Sequence, residues 1–130
     1  MLPLRTFFET MKILLCGQLC SGKNAMRTTR QGRHYAAPRF KTWRTDAMLQ
    51  LRAQHLIHRP MIETPVQLKV SYWPGDCRTR DISGMLDALF HLLVYSKMLK
   101  DDGLVRDVTW YWQGIDRKCP RTVMELEVVG

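Results

Sequence analysis

The chain has 130 residues, of which 45% are hydrophobic and 25% charged, values that suit one globular domain with one modest core. Twenty Lys and Arg against twelve Asp and Glu leave a net charge of +8. That surplus favours a polyanionic partner, nucleic acid or an acidic membrane surface, and no apolar run reaches the length of a membrane span.

The first ten residues, "MLPLRTFFET", lack a long apolar core and a small-residue cleavage site, so no secretory signal is expected. They read as a loose extension or an upstream start, and Met11 opens the domain, residues 11–130. The expected location is the cytoplasm, with no membrane partner. Cys16, Cys20, Cys77 and Cys119 form no C-x-x-C pair, so reduced thiols are expected and a zinc site is not.

"MKILLCG" (11–17) is a short apolar run and reads as a buried strand. Residues 18–37 carry Arg27, Arg30, Arg33 and His34 without an apolar period, and read as a long basic loop. From Pro38, the residues Phe40, Trp43, Ala47, Met48, Leu51 and His55 follow three- and four-residue steps, a helix that ends before Pro60. "PVQLKVSYWP" alternates, with Val66, Leu68, Val70 and Tyr72 on the buried side. Trp73, on the other side, is the expected exposed or interface aromatic, whereas Trp43, Trp110 and Trp112 are expected in the core or at a dimer contact.

Ile82, Met85, Leu86, Leu89, Phe90 and Leu93 make the apolar stripe of a second helix. Asp81 or Ser83 can cap it, and "DDG" (101–103) is expected to stop it. Strands around 105–114 and 121–129 complete a β-α-β-α-β-β order. The expected fold is a single small α/β domain with a mixed sheet, a parallel βαβ pair and a final hairpin.

"GQLCSGKN" (17–24) matches the phosphate-loop pattern G-x-x-x-x-G-K-[ST] except at its last position. Asn24 removes the hydroxyl that binds magnesium, and no amphipathic helix follows to aim its N-terminus at a phosphate. Lys23 is better read as a contact to a phosphate backbone.

The acids are few, yet Asp81, Asp87, Asp101, Asp102 and Asp107 gather in one stretch. Carboxylates held together repel and call for a cation. Magnesium, with manganese as a possible substitute, takes oxygen ligands and activates water for attack on a phosphodiester. A helix cap, a solvated helix position and a turn account for the same acids without metal.

The stretch "RDISGMLDALFHLLVYSKMLKDDGLVRD" resembles the RusA-type Holliday junction resolvases, whose pattern is R-D-[IL]-D-N, an amphipathic helix, then a D-D pair and a strand. "SGKNAMRTTRQGRHYAAPRFKTWR" resembles the family's early basic loop and following helix. The resemblance runs over about residues 11 to 128. It implies a RusA-like fold and a magnesium-dependent homodimer that nicks four-way DNA junctions. On this resemblance Asp81 and Asp102 are catalytic, and Asp81, Asp101 and Asp102 hold the metal. Lys23, Arg27, Arg30, Arg33, Arg80 and Lys100 contact DNA.

Two family positions differ. The second aspartate of D-x-D falls on Ser83, and the helix lysine falls on Asp87. Positions 83 and 87 share one helix face, one turn apart, so Asp87 is a candidate for the displaced acid, with His91 on the same face to assist. Arg80, Lys97 and Lys100 are the candidates to replace the lysine, and Lys41 and Arg44 to hold the junction arms. The rival expectation is a weak or inactive structure-specific DNA-binding protein on the same fold. A third is a nuclease for flaps or other branched DNA.

Overall fold

A computed structural model describes residues 10–22, 26–57 and 59–129. It is a small mixed α/β domain. The chain runs β1 (Thr10–Cys16), β2 (Met26–Thr28), β3 (His34–Ala36), α1 (Pro38–Ala53), β4 (Val66–Trp73), α2 (Ile82–Tyr95), β5 (Val105–Trp112) and β6 (Arg121–Val128). A single 3-10 turn, Asp102–Leu104, precedes β5.

The main sheet has the order β1-β6-β4-β5. β4 and β5 run parallel, as the intervening α2 requires. β6 lies antiparallel between β1 and β4, with Met124 opposite both Ile13 and Val70. The expected final hairpin is therefore absent: β5 and β6 are not neighbours. β6 alternates buried Thr122, Met124 and Leu126 with half-buried residues, and it fills the sheet centre where both of its edges find partners.

The 18–37 segment is not wholly loop. β2 and β3 pair as a small separate hairpin, too short for a period to show. α2 also ends earlier than the "DDG" signal. Ser96 caps it, with its backbone N–H on the Leu92 carbonyl, and Lys97 then turns left-handed at φ 64°.

One face of the sheet carries the core. Val66, Leu68, Val70 and Tyr72 of β4 are each at most 1% exposed. They pack with Ile13, Leu15, Met124 and Leu126 against Ala47 and Leu51 of α1 and Met85, Leu89 and Leu92 of α2. Each large apolar side chain so buried contributes about 1.5–3 kcal/mol. The other face presents polar residues such as Lys12 and Lys69. Trp73 lies half-buried there beneath Arg121, whose guanidinium is 4.2 Å from its ring centre. On β5, Tyr111 and Trp112 are exposed instead, each 46%.

No helix among the described residues is long and apolar enough to cross a membrane. Cys16, Cys20, Cys77 and Cys119 are all free thiols.

Candidate functional site

Two helices and one loop build an open cleft of about 520 Å³. Asp87 and His91 enter from α2, Phe40 from α1, and Lys100, Asp101 and Asp102 from the segment before β5. Gly22 closes one side. Its N–H donates to the Gly84 carbonyl at 2.6 Å, so the chain after β1 lies directly on the first turns of α2. A Cβ there would come 2.5 Å from the Ala88 nitrogen and 2.7 Å from Asp87 Cβ. Only glycine permits this approach.

The Asp101–Asp102 segment is pinned from behind. Leu99 is fully buried, the Lys100 N–H donates to the Ile62 carbonyl at 3.0 Å, and the Ile62 N–H donates to the Met98 carbonyl at 2.9 Å. Asp101 then caps the 3-10 turn, accepting the Gly103 N–H at 3.0 Å. That bond, together with a hydrogen bond from Asp102, holds the Asp101 carboxyl below its usual range. Asp102 moves the other way. Donating its proton to Asp101 raises it first, and burial and the Asp101 charge add to this. Two carboxyls this close disfavour being charged together unless a cation offsets them.

His91 forms the cleft wall with α1. Arg44 places a guanidinium nitrogen 3.1 Å from His91 Nε2 and its carbon 4.0 Å from the Tyr95 ring centre. His91 stacks on Tyr95 and meets Phe40 edge-on. Burial and, secondarily, the Arg44 charge keep the imidazole below its usual basicity.

Asp81 is not among the cleft-lining residues. It precedes α2 as the N-cap, accepting the Ser83 N–H at 3.1 Å and the Ser83 hydroxyl at 3.1 Å. Ser83, at the position of the missing acid, is thus engaged in capping. Asp107 lies exposed on β5, away from the cleft lining. Of the expected acids the cleft gathers Asp87, Asp101 and Asp102.

The expected DNA contacts are dispersed. Lys100 stands at the cleft with 63% of its side chain exposed, 3.8 Å from Glu63. Arg80 lies in a neighbouring cleft and pairs with Asp76 at 2.7 Å. Arg30 and Arg33 occupy the exposed turn between β2 and β3, where the Thr29 N–H donates to the Arg33 carbonyl and Gly32 has φ 82°. Lys97 is exposed and lines neither cleft. Lys23, the Arg27 side chain and the expected N-terminal extension up to residue 9 lie outside the described residues.

Among the described residues, no three His, Cys, Asp or Glu side chains converge closely enough to form a metal cage. The donor set nevertheless suits magnesium in its usual manner, held by one or two carboxylates and otherwise by water and phosphate oxygen. Asp101 and Asp102 would be that pair, and Asp87 lines the same cleft. Sequence reading had not singled out Gly22, Tyr95 or the Arg44–His91 contact. Only the near phosphate-loop match drew attention to Gly22, for a different reason. Neither a protein-family model nor a curated protein sequence matches the chain.

Proposed function

We propose that this protein is a metal-dependent endodeoxyribonuclease that cleaves branched DNA, with four-way junctions as the preferred substrate. One observation carries the reading: Asp87, Asp101 and Asp102 line a single open cleft with Lys100 at its edge, on a chain of net charge +8. A basic surface draws the polyanion, and an acidic centre within it is where a divalent cation is needed.

Bound magnesium would supply a polarised phosphoryl oxygen and an activated water. Asp101 and Asp102 would hold it, and Asp87 would orient a water or ligand from the helix side. Lys100 would meet a phosphate oxygen. His91, neutral and held by Arg44, would wall the cleft and keep its own charge out of it. The resemblance to the RusA-type resolvases, noted from the sequence, agrees with this reading.

A homodimer belongs to the proposal, since a two-fold pair suits a junction of near two-fold symmetry. The sheet edges favour one surface for it. At the β1 edge, Gln54 accepts the Leu14 N–H at 2.9 Å and donates to the Leu14 carbonyl at 2.7 Å, and Gln50 does the same at Cys16. That edge is closed by side chains. β5, the opposite edge, pairs only with β4 and exposes Tyr111 and Trp112. An open edge of this kind takes another strand.

The test is a labelled synthetic four-way junction incubated with and without magnesium. Cleavage by wild type that needs magnesium and is lost in Asp102→Asn is the expected result. Binding without cleavage at any metal concentration would favour the non-catalytic DNA-binding alternative.

A further inference from the structure

A second cleft, about 490 Å³, opens between the start of α1 and the loop after β4. It is cationic in a way the acidic cleft is not. Arg39, Arg78 and Arg80 line it, with the hydroxyl-bearing Ser21 and Thr42 beside them. Its one acid is Asp76, and that charge is already committed. Asp76 takes the Arg80 guanidinium at 2.7 Å, the Arg78 N–H at 3.0 Å and the Gln18 amide at 3.4 Å. Its carboxyl is held below the usual range, chiefly by the Arg78 N–H and then by Arg80.

Arg80 is therefore a fixed post. It also donates to the carbonyls of Asp76 and Arg78, which holds the loop in shape. Neither Arg39 nor Arg78 forms an ion pair among the described residues. Three guanidinium groups thus line one cleft against the single carboxylate of Asp76, which Arg80 pairs. The first turn of α1 adds to the field. It has no side-chain cap and no acidic residue, although the helix is 16 residues long.

The two clefts are lined by neighbouring residues of the same two segments. Ser21 and Arg39 line the cationic side, and their chain neighbours Gly22 and Phe40 line the acidic side. A DNA strand carries one phosphate per nucleotide, so a strand lying along both segments presents phosphates to each cleft.

We propose that the Arg39–Arg78 cleft is a phosphate subsite that anchors a backbone phosphodiester adjacent to the one held at the acidic cleft. The DNA part of this inference rests on the nuclease reading, and the anion part does not. Arginine suits the role because its planar fork meets two phosphate oxygens at once.

The experiment has two arms on the full chain. Inorganic phosphate is titrated while the amide resonances of Arg39 and Phe40 and the Arg78 side-chain resonance are followed. Saturable shifts in wild type that vanish in Arg39→Gln/Arg78→Gln are expected. In parallel, affinity for a four-way junction is measured against salt without metal. The double variant should bind at least tenfold more weakly at 100 mM salt, with a salt slope shallower by about two. Resonances that phosphate leaves unmoved overturn the subsite. A junction slope unchanged in the double variant overturns its DNA role and leaves the nuclease reading intact. Phosphate shifts in a protein that binds no DNA uphold the anion site and overturn the nuclease reading instead.

Discussion

Arg44 and His91 are joined by a contact of 3.1 Å to His91 Nε2. A guanidinium has only donors, so Nε2 accepts and the ring proton resides on Nδ1. The ring is neutral by design of its surroundings: burial and then the Arg44 charge both disfavour the imidazolium.

A pH dependence follows from this. The folded-state pKa of His91 lies below the unfolded value of about 6.5, so the unfolded chain binds the extra proton first. The His91 contribution is complete above about pH 6.5 and is lost as pH falls through the window beneath it. Urea denaturation at pH 7.5 and 5.5 should show a drop in wild type that is smaller in His91→Gln. An equal drop in both would assign it to other groups.

Much of the fold could be read from periodicity. The β4 alternation and the α1 spacing as far as Leu51 transferred directly, because both elements bury one face and periodicity reports burial, whereas His55 lies beyond the helix in a left-handed turn. Strand neighbours did not transfer. β5 and β6 look like a hairpin in sequence, yet β6 is drawn to the centre by apolar contacts on both sides, a preference no local signal encodes. In the site, the i,i+4 relation of Ser83 and Asp87 pointed to the acid that reaches the cleft. Gly22 and the arginines Arg39 and Arg78 depend on tertiary approach, and spacing cannot reveal them.

The acids should separate by role. Asp87→Asn and Asp102→Asn should each lower junction cleavage by a hundredfold or more and leave junction affinity within a few fold. Asp81→Asn keeps an N-cap, since asparagine caps as well as aspartate, and should retain stability. Asp81→Ala should cost about 1 kcal/mol. Cleavage assays paired with denaturation midpoints give the ranking. Wild-type cleavage by Asp87→Asn across a magnesium titration would remove Asp87 from the site.

The raised Asp102 carboxyl predicts a pH dependence of cation binding. A divalent cation that takes both carboxylates competes with protonation of Asp102, which its neighbour Asp101 and burial favour. Affinity for magnesium or manganese should therefore increase with pH across that titration. Calorimetry in two buffers of different ionisation enthalpy, run at acidic pH where Asp102 is protonated, measures the proton released, and Asp102→Asn should abolish it. Identical heats in both buffers would show that this pair does not take the cation.

The open β5 edge predicts how the protein self-associates. Trp112→Lys places a charge on the exposed edge, a device that keeps sheet edges apart. Sedimentation should show a dimer for wild type at micromolar concentration and a monomer for this variant. A dimer that survives the substitution lies elsewhere on the surface.

Gly22→Ala tests the architecture of the acidic cleft itself. The added methyl would meet backbone, the Ala88 nitrogen at 2.5 Å and the Asp87 carbonyl carbon at 2.8 Å, and neither can swing aside as a side-chain tip would. Relief requires the segment after β1 to lift from α2, which breaks the 2.6 Å hydrogen bond from Gly22 to Gly84. Overpacking of this kind costs about 1–3 kcal/mol. The same movement widens the cleft at Asp87, so cleavage should fall further than stability alone accounts for. Gly103→Ala is the matched control. It adds the same methyl in the same site, where the nearest atom is Asp101 Oδ1 at an ordinary 3.6 Å. Denaturation midpoints and cleavage rates for the two variants should therefore diverge, Gly103→Ala staying near wild type. A Gly22→Ala protein as stable and active as wild type would mean that this segment does not rest on α2, and Asp87 would lose the wall that defines its side of the cleft.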